Sequence, residues 1–333
     1  MTYLIALSLK AYRNVNLNIY GGEETANLLS NLQYRLWTIH MSEETFPFKV
    51  GAFECIVVKD GIHAYPYPAQ NVFINFFVNA PKEDLEQTLR QHGLNPEGWK
   101  EYVSPYVSLV INTGDDLILV DTGAGAMAPT TGKLIQNLQS EGLTPEDFDK
   151  VILTHAHPDH IGGNLDSQGK PAFPNARYII SKTEWDFWMH KADTELKLPE
   201  EAKKRQINVA RHNLLPIKDQ VDLVEETEVV PGISLIEASG HTPGQMAVAA
   251  TSDSEKLLYL SDIVLHPIHL ERLEWHSSVA VTPEKIVSTR QKLLSKAASD
   301  KTLVQASHFP FPGLGYLVQK GKGWQWQPIE TMT

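Results

Sequence analysis

The segment Thr154-His155-Ala156-His157-Pro158-Asp159-His160-Ile161-Gly162-Gly163 sets three imidazoles and a carboxylate within six positions, then follows them with two glycines. Imidazole nitrogens and carboxylate oxygens at this density are metal donors. The apolar run Val151-Ile152-Leu153 in front reads as a short buried strand that delivers His155 at its end. Side chains of extended chain alternate with period two, so His155 and His157 project to the same side. Pro158 stiffens the turn that leads to Asp159 and His160. Four donors so close cannot all serve one tetrahedral ion that also keeps an open position. They suit two neighbouring ions, one held by His155 and His157, the other by Asp159 and His160. Gly162 and Gly163 let the backbone turn tightly and pack closely beneath them.

The rest of the chain alternates strand and helix signals, which points to α/β or mixed layers. FECIVVKDG (Phe53 to Gly61) reads as a strand ending in a turn at Asp60-Gly61, and VSLVINTGDDLILVDTG (Val107 to Gly123) as a hairpin. TGKLIQNLQSEGL carries a helical pattern closed by Gly142. Residues 183–215 are predicted helical with a break near Pro199, and are long enough to form a lid. ISLIEAS, QMAVAAT, KLLYLSD and TLVQASH read as strands, and the helix starting at Pro283 takes Thr282 as its N-cap. Residues 1–45 form an N-terminal extension, with Leu28, Leu29, Leu32 and Leu36 at near-helical spacing. The main domain would occupy residues 46–333.

Twenty-nine basic against 40 acidic residues give a net charge of −11, which argues against nucleic acid as a partner. The one cysteine, Cys55, can form neither an intrachain disulfide nor a cysteine metal cluster, and its strand-like setting marks it as an inert core residue. The N-terminal MTYLIALSLK has no basic residue ahead of its short apolar run and is too short to span a bilayer. No membrane partner and a cytoplasmic location are the resulting expectations.

HAHPDH matches the H-x-H-x-D-H signature, and on it the chain resembles the metallo-β-lactamase superfamily. The resemblance implies a four-layer αββα sandwich with a metal site at the edge between two mixed β-sheets. It further implies three donors downstream, each after a short apolar strand: His241 in ASGHTPGQ, Asp262 in LYLSDIVL and His308 in QASHFPFPGLG. By that likeness His155, His157 and His241 hold one metal, Asp159, His160 and His308 the other, and Asp262 bridges both. Asp121 in LILVDTG would support a ligand imidazole. Two divalent ions are implied, zinc first, with Fe2+, Mn2+ or Co2+ accepted by the same donors. Asp262 and Asp159 are the residues expected to serve catalysis, by holding a pair of ions whose shared water becomes hydroxide near neutrality and attacks a carbonyl or phosphoryl centre.

Further segments, from FECIVVKDG through AFPNARYIISKTEWDFW to GKGWQWQPI, resemble the methyl parathion hydrolase-like group across residues 46–329. That group hydrolyses esters, lactones and phosphotriesters, so a small-molecule substrate is implied, and because its members often dimerise, a homodimer is a further expectation. N-acyl-homoserine lactonases share all seven donors but carry a tyrosine three residues after the bridging aspartate, where this chain has Leu265. His266 or His269 could replace it as proton donor. Trp185, Trp188 and Phe309 are candidates, with those two histidines, for lining an apolar substrate pocket. Two other chemistries use related ligand sets: a mononuclear iron persulfide dioxygenase, and a thioester hydrolase like glyoxalase II.

Overall fold

The structure is a computed structural model and describes residues 43–66, 73–94, 96 and 101–330. The expected helix around Leu28 to Leu36 lies outside the described residues.

Two seven-stranded sheets make up the centre. The first runs in chain order: β1 (Thr45–Val50), β2 (Phe53–Pro66), β3 (Glu101–Asn112), β4 (Leu117–Val120), β5 (Lys150–Leu153), β6 (Arg177–Ser181) and β7 (Val221–Val224). Its first four strands pair antiparallel and β4 to β7 pair parallel. The second holds β8 (Thr227–Val230), β9 (Ile233–Glu237), β10 (Met246–Ser252), β11 (Glu255–Tyr259), β12 (Leu303–Gln305), β13 (Leu314–Lys320) and β14 (Gly323–Pro328). There only β11 and β12 pair parallel. The helices used below are α1 (Lys82–Gln91), α2 (Leu134–Ser140), α3 (Pro158–Ile161), α4 (Lys182–Asp186), α5 (Glu200–Leu214) and α6 (Pro283–Ser299).

The period of two along each strand explains the layers. On β2, Cys55 and Val57 face a core that also takes Leu235, Val248 and Leu257 from the second sheet. Ile56 and Val58 point the other way, into a core closed by Leu134 and Leu138 of α2 and Ala210 and Leu214 of α5. On the second sheet Leu258 and Val304 turn outward onto Leu293 and Leu294 of α6. The result is the expected αββα sandwich. A smaller cluster joins Leu85 and Leu89 of α1 to Phe77, Ile268 and Trp275.

The helical segment after β6 follows its predicted outline. A π-helical turn, Phe187–Lys191, follows α4, and the chain leaves helix before Pro199 and resumes in α5. It forms part of the outer layer on the first sheet, with Phe187, Trp188, Ile207 and Leu214 buried.

Two local expectations are corrected. Asp60-Gly61 is not a turn; β2 continues through it to Pro66, with a bulge between Lys59 and Gly61. The bulge turns the Asp60 carboxylate inward, where it accepts from the backbone N–H groups of Ala124 at 3.0 Å and of Gly132 and Leu134 at 3.2 Å. Thr282 does not cap α6 through its side chain; its hydroxyl donates instead to Gly240 O at 3.3 Å, tying the helix to the loop that carries His241.

The topology gathers strand ends. Parallel pairing of β4 with β5 puts Asp121 and His155 at one edge of the first sheet, and that of β11 with β12 does the same for Asp262 and His308 in the second. Met246 N donates to Thr154 O at 2.9 Å, which stitches the two sheets together at this edge. Among the described residues no helix is long and apolar enough to cross a membrane.

Candidate metal centre

His155 and His157 stand in the loop after β5, and Asp159 and His160 in the single turn of α3 that follows, begun by Pro158. Gly162 and Gly163 serve close approach rather than an unusual backbone. Gly162 has ordinary right-handed helical angles, but a Cβ there would lie 2.3 Å from Ala124 O, and one at Gly163 would lie 2.2 Å from Thr122 O. The metal-bearing turn is thereby pressed onto the loop after β4.

Two donor groups form. His155, His157 and His241 make one, and Asp159, His160, Asp262 and His308 the other. In the first, His157 Nδ1 lies 3.2 Å from His155 Nε2 and 2.7 Å from His241 Nε2. The former matches the edge of a tetrahedron of zinc ligands, about 3.3 Å for Zn–N bonds of ~2.05 Å, and the latter is shorter than that edge. In the second, Asp262 Oδ1 lies 3.1 Å from the Nε2 atoms of both His160 and His308. Asp159 Oδ2 completes it, 3.5 Å from His308 Nε2 and 3.8 Å from His160 Nε2. The other oxygen of Asp262 turns to the first group, 3.2 Å from His241 Nε2 and 3.8 Å from His155 Nε2.

The donor atoms fit a cation better than they fit one another. His160 Nε2, His308 Nε2 and Asp262 Oδ1 are all buried without an acceptable hydrogen bond. Leaving a buried polar atom unpaired costs about 1–3 kcal/mol, so three converging on one point are a site for an ion. Burial holds His155 and His157 well below the usual histidine range, which leaves neutral nitrogens for ligation. Burial alone would raise Asp262, but His308, His160 and His241 outweigh it and keep the carboxylate ionised. For His160 and His308, burial is overcome by Asp262 and the neighbouring carboxylates, which draw positive charge into the second group.

A further set of side chains fixes the rings. Asp121, at φ +60°, accepts from His160 Nδ1 at 2.7 Å, Thr154 Oγ1 at 2.8 Å and Tyr259 OH at 3.1 Å, while Thr154 N donates to its other oxygen at 2.8 Å. The aspartate holds the proton of His160 on Nδ1 and presents Nε2 to the metal group. His308 Nδ1 faces Pro105 O at 3.2 Å and Ser104 Oγ at 3.0 Å, with the same consequence. With its amide oxygen turned toward them, Gln245 accepts from Asp262 N at 2.9 Å and Ile263 N at 3.1 Å. Sequence reasoning missed Glu184, fully buried at the foot of the first group, where burial raises its pKa against four hydrogen bonds that lower it. It missed Ser104 and Gln245 as well.

Of the residues expected to line a substrate pocket, three lie in the packed interior. Trp188 is fully buried, donates Nε1–H to Glu184 at 2.7 Å and lays its ring edge-on to His157, so it braces the site from beneath. Phe309 is buried against Trp326. His269 uses both nitrogens on backbone, Nδ1 accepting from Leu265 N at 3.3 Å and Nε2 facing Phe76 O at 3.0 Å. That engagement also removes it as a proton donor. Trp185 is partly buried against the outer core of the first sheet. His266 remains half-buried beside Phe77 and His92, with Nδ1 accepting from Ile268 N at 3.2 Å, which places its ring proton on Nε2.

Fold and donor set together define a metal-dependent hydrolase of the metallo-β-lactamase fold. The Metallo-beta-lactamase superfamily profile matches residues 102–308, and the chain belongs to that superfamily. Among solved structures it is similar to AidC, a dizinc quorum-quenching lactonase in complex with a product, N-hexanoyl-L-homoserine (TM-score 0.79, 30% identity, 87% of this chain and 99% of AidC). It is also similar to the hydrolase AbOPH of the beta lactamase superfamily (TM-score 0.77, 26% identity, 88% of this chain and 100% of AbOPH). A curated relative, the N-acyl homoserine lactonase of Bacillus thuringiensis, is 26% identical over 254 residues, 70% of this chain and 92% of the relative.

Proposed function

We propose that this chain opens lactone rings at a pair of zinc ions, with N-acyl homoserine lactones as its substrate class. The observation that carries the dinuclear reading is the division of Asp262, whose Oδ1 faces His160 and His308 and whose Oδ2 faces His241 and His155. One carboxylate placed so can belong to two ions at once. His155, His157 and His241 would hold one zinc, Asp159, His160 and His308 the other. The likeness to a dizinc lactonase and to an N-acyl homoserine lactonase supports the substrate class.

When bound, such a pair of ions polarises a carbonyl oxygen and lowers the pKa of a water toward neutrality. The chain's own residues do the rest. Asp262 stays ionised and keeps the two donor groups in register. Asp159 has the most open side chain of the set, 16% exposed against 5% or less for His155, His160, His241, Asp262 and His308, so the carbonyl approaches from its side. Burial and the neighbouring His92 push His266 down to about 3. Its ring is therefore neutral in the working range. Cys55 takes no part: it is fully buried, and burial pushes its thiol far up.

The completeness of the second group of Asp159, His160, Asp262 and His308 favours two ions over the single iron of an oxygenase. The test is elemental analysis of protein purified without added metal, followed by rates on N-hexanoyl-homoserine lactone, an aryl ester and a phosphotriester. About two zinc ions per chain and a clear preference for the lactone are expected. A two-zinc protein that prefers the ester or phosphotriester would refute the substrate class, and a single iron would refute the dinuclear centre.

A further inference from the structure

Glu184 stands at the third residue of α4, outside both donor groups, yet its two oxygens are divided between the two loops that make the first one. Oε1 accepts from Ala156 N at 3.0 Å, the amide between His155 and His157, and from Trp188 Nε1 at 2.7 Å. Oε2 accepts from Thr242 Oγ1 at 2.7 Å and Gly244 N at 3.0 Å, directly after His241. The carboxylate is fully buried, and all four partners donate to it. Because its O–C–O geometry is rigid, the separation of the loops cannot drift without loss of charge-assisted hydrogen bonds. The loop after His241 is pressed against this helix start, since a Cβ on Gly244 would lie 2.1 Å from Glu184 N. Trp188 locks the carboxylate's rotation, and its ring rests edge-on against His157 at 5.7 Å.

We infer that Glu184 is a positioning residue that sets the spacing of His155 and His157 relative to His241, and so tunes the affinity of the three-histidine ion site separately from its neighbour. The separation follows from the connections. His160 and His308 are oriented by Asp121, Ser104 and Pro105, and Glu184 reaches none of these. The inference rests on the metal-centre reading above.

The experiment uses the full chain, stripped with a chelator and titrated with Co2+, read by calorimetry and by visible absorption. Wild type should show two binding steps. Glu184→Gln keeps the size but turns an amide NH2 toward two donors, whichever way it rotates. One step should weaken by about 10-fold or more, with a changed visible spectrum, while the other stays within about twofold. Thr242→Val, which removes one donor and keeps the carboxylate, should weaken the same step by a smaller factor. It carries the test if Glu184→Gln does not fold. Both steps unchanged, or both weakened equally as general destabilisation would do, overturns the inference for whichever variant folds. A wild-type chain that takes up fewer than two ions overturns the metal-centre reading, and this inference with it.

Discussion

Asp121 Oδ2 sits 2.7 Å from His160 Nδ1, and the aspartate adopts the left-handed backbone conformation, φ +60°, to put it there. Side chains other than glycine rarely adopt that region, and Asp is among those that tolerate it. Asp121→Asn leaves the backbone tolerable but sets an amide NH2 against Thr154 N–H, Thr154 Oγ1 or His160. The affinity for one of the two ions should fall about 10–100-fold, measured by competition with a chromophoric chelator. Wild-type affinity for both ions would show that His160 needs no such partner.

Asp262→Asn tests the shared carboxylate. The residue is buried among His160, His241 and His308, so in the metal-free protein the substitution removes a charge without opening a cavity. Circular dichroism should show an intact fold. Turnover should fall by more than the roughly 10–100-fold typical for partners one step removed from a metal. Unchanged turnover at full metal content would eliminate the bridging role.

His308→Ala removes a donor from the second group, where His308 Nε2 lies 3.1 Å from Asp262 Oδ1. Bound zinc should drop from about two ions to about one per chain. A variant that still retained both would reassign the last histidine.

The metal group was legible because its chemistry is dense and local. HAHPDH concentrates donors, and Asp121, His241, Asp262 and His308 each follow a short apolar strand whose end the topology then brings to one edge. What stayed hidden depends on contacts distant in sequence. Glu184 sits in TEWDFW with only a helical pattern around it, and its partners Ala156 and Thr242 stand 28 and 58 positions away. Gly244 announces a close approach but not what approaches. Asp60-Gly61 has the composition of a turn, and only backbone amides from residues 124–134 make it a bulge that turns a carboxylate inward. His269 and Phe309 stand near ligands in sequence and Trp188 lies in a predicted helical segment, yet the chain turns each of them into packed interior. Adjacency to a ligand does not say which way a side chain faces.

His266 allows a pH experiment with a definite sign. Burial first, and then His92, push it down to about 3, whereas an unfolded histidine titrates near 6.5. Between these values the unfolded chain binds a proton at this position that the folded chain refuses. Stability at this residue is therefore present above about pH 6.5 and is lost progressively as pH falls toward 3. His266→Gln removes that contribution. Between pH 7.5 and pH 5, metal-free wild type should lose about 1–2 kcal/mol more than the variant in urea unfolding, the other buried histidines cancelling in the comparison. Equal losses would mean that the ring is protonated as readily in the folded chain as in the unfolded one. A larger loss in wild type keeps it neutral, and predicts that the pH profile of turnover carries no limb from His266 above pH 5.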